Sequence, residues 1–367
     1  MPQLNETVLE IDLKALEHNV NYLRSLIRPE TKLLAVVKAF AYGSDPVIIA
    51  KHLQQLKVDY FAVAYVNEGI TLRDAGIITP ILVLHPQIGD FQKLVDHRLE
   101  PALYSHRILD FFIDFATVEK LHHYPVHLKF NTGLNRLGFN TYDLPVLLDS
   151  LKKCNAIKTV SAFSHLVASE DPDERSLSLN QIAAFKDISQ ILIRGLGYKP
   201  LLHMLNTSGI MNYPEAQFDM VRAGISLYGF ANDQQFTKHL KNVVSLKSVI
   251  SQIHTVKKGE SVGYNRGYIA PKDLRSATIP IGHADGIQRA FGKGKGFVTI
   301  HGRRAPILGN VCMDMLMVDV TGIPCEEGDQ VILFDNQAIV NELANSIQSI
   351  PYEILTAISQ RVKRIVK

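Results

Sequence analysis

The sequence predicts a closed parallel (β/α)8 barrel of the TIM type followed by a smaller, mostly β domain. Two observations carry that prediction. From Leu33 to Leu227, short apolar runs alternate with amphipathic helical segments, and about eight such βα units make a closed barrel. Near Ala231 to Thr237 the pattern changes, and short β-rich segments then alternate with Gly, Pro and Asp turns. An open doubly wound sheet is the competing α/β solution, but no GxGxxG turn opens a helix anywhere in the chain.

In chain order, Leu9 to Asp12 reads as a short strand, with Asp12 placed to cap the helix that follows. The apolar positions of that helix, Leu13, Leu16, Val20, Leu23 and Ile27, fall at helical spacing. The barrel strands are expected at Leu33–Lys38, Tyr60–Ala64, Ile81–Leu84, Pro101–Tyr104, Val126–Asn131, Val160–Leu166, Leu201–Asn206 and Met220–Leu227. Helical patterns lie between most of them, as at Val47–Leu56, Glu68–Ala75, Leu144–Lys153 and Ser178–Ile193. Later β segments are expected at Val243–Val256, Ser276–Ile281, Phe297–Ile300, Met315–Val320 and Gln330–Phe334, with final helices at Val340–Ile347 and Tyr352–Arg361. The expected division is therefore residues 1–238 for the barrel and 239–367 for the β domain, with the first strand, about 8–12, reaching across to the latter.

Composition narrows the class of function. Of 367 residues, 46% are hydrophobic and 20% charged, the balance of an ordinary globular chain. With 39 basic against 36 acidic residues the formal charge is +3, too even to point to nucleic acid or an anionic membrane. The three cysteines, Cys154, Cys312 and Cys325, have no metal-type spacing, so neither a metal site nor a disulfide scaffold is expected. The opening stretch MPQLNETVLEIDL carries charge early and no apolar core, unlike a signal peptide. No apolar run approaches the roughly 18 residues of a membrane helix. The expected location is cytoplasmic.

In a parallel barrel the functional site lies at the C-terminal ends of the strands. Those ends carry Lys38, Lys129 with Asn131, Arg136, His165, His203 with Asn206, and Arg222. Lys38 closes the apolar run LLAVVK. A lysine there either lays its stem on apolar surface with its head in water, or serves as a partly desolvated amine able to form an imine with a carbonyl cofactor. A lone histidine such as His165 is by itself an ordinary structural residue, but several polar groups converging from different strands are hard to explain as solvated surface. Two segments, Asn206-Thr207-Ser208-Gly209 and Arg222-Ala223-Gly224-Ile225, offer small residues and hydroxyls suited to a phosphate, or else plain turns. In the β domain, VGYNRGY sets Tyr264 among glycine and basic residues. Nearby cationic charge would turn a phenol into a usable base, whereas a packed strand tyrosine is the alternative.

Taken together, these motifs resemble the alanine racemase family over nearly the whole length. They are VVKAFAYGSD at Val36, EGITLRDAGI at Glu68, LKFNTGLNRLG at Leu128, FSHL at Phe163, HMLNTSG at His203, DMVRAGISLYG at Asp219, VGYNRGY at Val262, PIGHADGIQR at Pro280, GNVCMDM at Gly309 and PYEIL at Pro351. The resemblance implies pyridoxal 5'-phosphate as cofactor, alanine as substrate and a homodimer whose active sites are shared between subunits. It implies that Lys38 forms the imine and is one of two acid–base groups, and that Tyr264, from the partner subunit, is the other. Arg222 would face the pyridine nitrogen, Arg136 the phenolic oxygen, and Tyr42, Thr207, Gly224, Ile225 and Tyr352 the phosphate. Asn206 belongs to the same cofactor site. His165 and His203 would link Tyr264 to Arg222. Met313, Asp314 and His283 would line the substrate side, and Lys129 matches a position often carbamylated to support Arg136.

The chain departs from the family pattern at Phe40, where asparagine is usual, at Asn131 and Leu134, and at His283, where a tyrosine commonly lines the entrance. A barrel-type amino-acid decarboxylase resembles the same architecture but normally sets a carboxylate at the pyridine nitrogen, against Arg222. Non-catalytic cofactor-binding barrels lack the β domain and its tyrosine.

Overall fold

In the computed structural model, residues 6–367 are described. The first residues of the MPQLNETVLEIDL stretch lie outside them. After β1 (Val8–Ile11), eight strands alternate with helices: β2 (Lys32–Val36), β3 (Tyr60–Val63), β4 (Ile81–Val83), β5 (Glu100–Leu103), β6 (Tyr124–Lys129), β7 (Ile157–Phe163), β8 (Leu201–His203) and β9 (Met220–Ala223). All pair in parallel, and β9 returns to β2 in the register Lys32↔Met220 to Ala35↔Ala223, closing the barrel. The apolar runs are buried throughout: Leu34, Ala35, Phe61, Ala62, Ile81 and Leu82 have no exposed surface. Helices start where the sequence supplies acceptors. The Asp12 carboxylate accepts from the Ala15 N–H at 2.9 Å, as its position predicts, and Asp45 does the same for Ile48 at 2.8 Å.

The remaining strands are β10 (Val244–Val249), β11 (Gln252–Val256), β12 (Ser261–Val262), β13 (Tyr268–Ile269), β14 (Leu274–Ile279), β15 (Phe297–Ile300), β16 (Arg303–Leu308), β17 (Leu316–Asp319), β18 (Gln330–Phe334) and β19 (Lys363–Val366). They form a nine-stranded sheet in the order β11-β14-β17-β16-β15-β18-β10-β1-β19, while β12 and β13 pair separately. The fold class is thus the expected one. β1 lies within this sheet, antiparallel to β10 and parallel to β19.

Several boundaries differ from the sequence expectation, among them Leu201–Asn206, whose strand ends at His203, and Val160–Leu166, observed as Ile157–Phe163; four others have a clear local reason. The first barrel strand ends at Val36 instead of Lys38 because the chain turns left-handed from Ala39. The last ends at Ala223, since Gly224 breaks the strand and a 3-10 turn, Ile225–Tyr228, follows. The Val243–Val256 segment divides at Ile250 and Ser251, whose N–H groups donate to Asp329 and Thr278, so that β10 and β11 take different neighbours. The final helix stops at Thr356. Beyond it the Arg364 guanidinium collects the carbonyls of Ile358, Ser359 and Val362. The strands Arg303–Leu308 and Lys363–Val366 escape the apolar pattern because charged, exposed residues open both.

Candidate active site

The site is built around the turn that follows β2. Ala39, Phe40, Ala41 and Tyr42 lie at φ 53°, 55°, 51° and 54°, a left-handed turn made without glycine. Each such residue costs roughly 1–2 kcal/mol, so surrounding contacts must hold the turn in place. The Ala39 N–H donates to Glu68 Oε1 at 2.6 Å, and the Tyr42 ring stacks on Tyr228 at 4.7 Å and meets Tyr352 at 6.0 Å. Gly43, at φ +79°, closes the turn against the helix Pro351–Thr356. A Cβ there would stand 1.9 Å from the Leu355 carbonyl oxygen. Arg364 donates from Nη2 to Gly43 O and from Nε to Ser44 O, both at 2.9 Å.

Lys38, half-buried at the head of this turn, is surrounded by cations. Burial lowers its pKa, the Arg136 charge lowers it further, and Glu68 opposes both. Lys129 is pushed down to about 8 by burial first, then by Arg136, Arg222 and Lys38. Its amine lies over the Phe163 ring, 5.9 Å from the centroid. Arg222, 5% exposed, donates to His203 Nδ1 at 2.8 Å, His165 Nδ1 at 3.0 Å, Ser164 O at 2.7 Å and Met204 O at 2.8 Å. Both histidines have pKa values held well below the usual range, by burial and then by the Arg222 charge. They are neutral near pH 7, each with an Nδ1 lone pair toward the guanidinium, because arginine only donates.

A second cluster adjoins the first. The Gly224 N–H donates to Thr207 Oγ1 at 3.2 Å, and that hydroxyl lies 3.0 Å from Ser226 Oγ. A Cβ on Gly224 would lie 2.5 Å from the Tyr42 hydroxyl, so glycine here keeps open a space lined by hydroxyls. Ile225 is buried beside it. Asn206 caps the helix Thr207–Asn212, its Oδ1 accepting from Gly209 N–H at 2.9 Å and from Ser169 Oγ at 2.8 Å. Burial raises the phenols of Tyr42 and Tyr352, the latter to about 12 with Glu170 adding, so both stay protonated donors.

Lys38, Tyr42, Lys129, Arg136, His165, His203, Asn206, Thr207, Arg222, Gly224, Ile225 and Tyr352 are thus gathered around the C-terminal end of the barrel. Tyr264, His283, Met313 and Asp314 form a different group. They line an open cleft of about 1310 Å3 whose lining residues all fall between His254 and Met317. Tyr264 is 75% exposed and Met313 59%. Asp314 is held by Arg361 Nη2 at 2.7 Å, whose Nε also pairs with Asp285 at 2.9 Å. The sequence reading did not single out Glu68 or Arg364. Glu68 leaves a trace, since its Oε2 accepts from the Tyr65 N–H at the start of its own helix, a position that favours an acid. Arg364 leaves none.

Family models for the alanine racemase N-terminal domain and C-terminal domain match residues 11–232 and 243–366. The chain belongs to the alanine racemase family. It is accordingly an enzyme of the isomerase class. An alanine racemase of Nostoc sp. is 34% identical over 97% of this chain and 95% of its own length. The solved alanine racemase of Clostridium difficile 630 superposes with a TM-score of 0.93 at 31% identity, covering 99% of this chain and 96% of that one. The alanine racemase structure from Bartonella henselae, described as having covalently bound pyridoxal phosphate, matches with a TM-score of 0.89 at 28% identity over 99% of this chain and 100% of that one. No described helix is long and apolar enough to cross a membrane.

Proposed function

We propose that this chain interconverts L- and D-alanine with pyridoxal 5'-phosphate and two acid–base residues, Lys38 and Tyr264, and that the D-alanine serves peptidoglycan synthesis in the cytoplasm. The barrel, 1–238, binds the cofactor, and the β domain, 239–367, supplies the second base to the other subunit of a homodimer. The observation that carries this reading is the separation of the two groups. A partly desolvated lysine sits among cations at the barrel end, while Tyr264 stands exposed in a cleft of β-domain residues.

The residues present fit the cofactor. Gly224 leaves room where a Cβ would strike the Tyr42 hydroxyl. The hydroxyls of Tyr42 and Thr207 lie beside that space and suit a phosphate, and Tyr352, Ile225 and Asn206 would complete the same site. When bound, the cofactor supplies an aldehyde for Lys38 and an electron sink for charge released at the substrate Cα. Burial lowers the Arg222 pKa to about 9 yet leaves it charged near pH 7, so a pyridine nitrogen held against it would stay unprotonated and the sink would be weak. That restraint favours reprotonation at Cα over side reactions.

Lys38 works on one face of the Cα, where burial and the Arg136 charge lower its pKa and ease transfer of its proton. Tyr264 of the partner subunit works on the opposite face, since a single base would return the proton to the face it left. His165 accepts from Arg222 through Nδ1, so its Nε2–H is left to orient that tyrosine. His203 steadies Arg222 from the barrel interior. Arg136, with Lys129 beside it, would hold the phenolic oxygen. Met313, Asp314 and His283 of the β domain line the substrate side.

The test is proton NMR of the protein supplied with pyridoxal 5'-phosphate and L-alanine in deuterated water, with a chiral assay of the product. Loss of the Cα proton signal together with D-alanine is the expected result. Exchange with retained L configuration would overturn the two-face assignment, and no exchange would overturn the alanine reading.

A further inference from the structure

Arg222 is a buried cation that no carboxylate touches. Its four acceptors are two carbonyls and two neutral imidazoles, and it enters no ion pair among the described residues. A buried charge held in this way depends on the orientation of the dipoles around it. The second nitrogen of His203 leads away from the cofactor end. His203 Nε2 lies 3.1 Å from Ser161 Oγ, Ser161 Oγ lies 2.5 Å from His127 Nδ1, and His127 Nε2 lies 2.8 Å from Glu100 Oε2. His127, Ser161 and His203 are all 0% exposed.

The five residues come one each from five successive strands, β5 to β9. The registers Ala102↔His127, His127↔Ser161, Ser161↔Leu201 and His203↔Met220 place them on a staircase. Each step up is two residues, from Glu100 to the level of Ala102, from Leu201 to His203 and from Met220 to Arg222. Steps of two keep every side chain on one face of its strand, here the barrel interior.

We infer that Glu100 is a positioning residue for Arg222, acting across the barrel through His127, Ser161 and His203 in one fixed order of donors. The two ends dictate the order. Arginine only donates, so His203 Nδ1 accepts and its proton sits on Nε2. That proton goes to Ser161 Oγ, the Ser161 proton to His127 Nδ1, and the His127 Nε2–H to the Glu100 carboxylate. The order needs the His127 Nδ1 lone pair, because among the described residues the buried Ser161 hydroxyl is given no other acceptor. Tyr60, Tyr124 and Arg73 are the other ionisable groups at the Glu100 end. Tyr60 also hydrogen-bonds the Glu100 carboxylate and meets the His127 ring edge-on at 5.9 Å, so it steadies the chain's outer end.

This inference deepens the proposed role of Arg222, but its test needs neither cofactor nor turnover. Long-range proton–nitrogen correlation spectra of the 15N-labelled protein, without and with pyridoxal 5'-phosphate, report the tautomer of each imidazole. His127→Gln and His203→Gln assign the two signals. In the native chain both rings are expected as neutral Nε2–H tautomers, the one arrangement that satisfies the donor order. An Nδ1–H tautomer or an imidazolium at either ring would overturn the inference without reference to any variant. In Glu100→Gln, the amide can also donate to His127, so loss of the single His127 tautomer and a shift of the His203 signal are expected. A His203 signal identical to the native one would overturn the claim that Glu100 acts at that distance. If racemisation fails in the native chain while the tautomers stand, only the proposed reaction falls.

Discussion

Replacing Gly43 by alanine tests how the Lys38 turn is held. Two effects add at this position. At φ +79° an L-residue pays the left-handed penalty of roughly 1–2 kcal/mol. The new Cβ would also stand 1.9 Å from Leu355 O and 2.9 Å from Leu355 C, against backbone that has no rotamer to change. The helix Pro351–Thr356 must then retreat by about 1 Å, an overpacking strain of roughly 1–3 kcal/mol. The expected loss is therefore about 2–5 kcal/mol. Gly76→Ala is the matched control. Its φ is +87° and nothing lies within 4 Å of the added carbon, so only the first effect applies, at about 1–2 kcal/mol. Urea unfolding followed by circular dichroism gives the ranking. Hydrogen exchange over residues 37–44 shows whether the turn itself loosens. Equal midpoints for the two variants, with unchanged exchange in the turn, would refute the close-approach reasoning.

Other expectations follow from the same geometry. Lys38→Ala and Tyr264→Phe, each nearly inactive alone, should recover about a quarter of native activity when co-expressed, because half of randomly paired twofold dimers carry one intact site; no recovery would mean that the sites are not shared. Lys129, at about 8, has a neutral fraction able to attack carbon dioxide, and the Arg136 charge beside it favours the resulting anion. Protein equilibrated with 13C-bicarbonate near pH 8 should show a carbamate carbon signal that Lys129→Arg abolishes, and a signal indifferent to that change would dismiss the modification. Asn19, fully buried, donates to Leu227 O at 3.0 Å and Lys241 O at 2.8 Å and accepts from Lys241 N–H at 2.7 Å. Asn19→Ala should destabilise by about 2–4 kcal/mol in the same unfolding assay, since the carbonyls and N–H it serves lose their partner inside the protein.

The barrel is legible in the sequence because each strand is an apolar run ended by a polar residue, and that contrast survives without tertiary information. The left-handed turn is not. Ala39, Phe40, Ala41 and Tyr42 carry no local preference for it, and it is imposed by Glu68, Tyr228, the Leu355 carbonyl and Arg364, which are distant in sequence. His127 and Ser161 sit mid-strand in VHLK and VSAF, where alternation alone reads as ordinary core. The motif around Tyr264 is plain to see, but its exposure is not, because a strand tyrosine that packs its ring carries the same letters.

The pairing of β1 has a consequence for how the chain is made. Val8 pairs with Lys363, the Lys367 N–H donates to Ile11 O at 2.9 Å, and the Asp12 N–H donates to Val243 O at 2.8 Å. During translation, β1 leaves the ribosome with neither neighbour in existence, while the helix one residue behind it already belongs to the barrel. The barrel can close around the growing chain. The sheet keeps an open slot until residues 363–366 arrive, and β19 then locks β1 in place. A circular permutant that cuts an exposed β-domain turn and splices the two ends should therefore complete β1 and β19 together, and should fold with fewer exposed strand edges along the way.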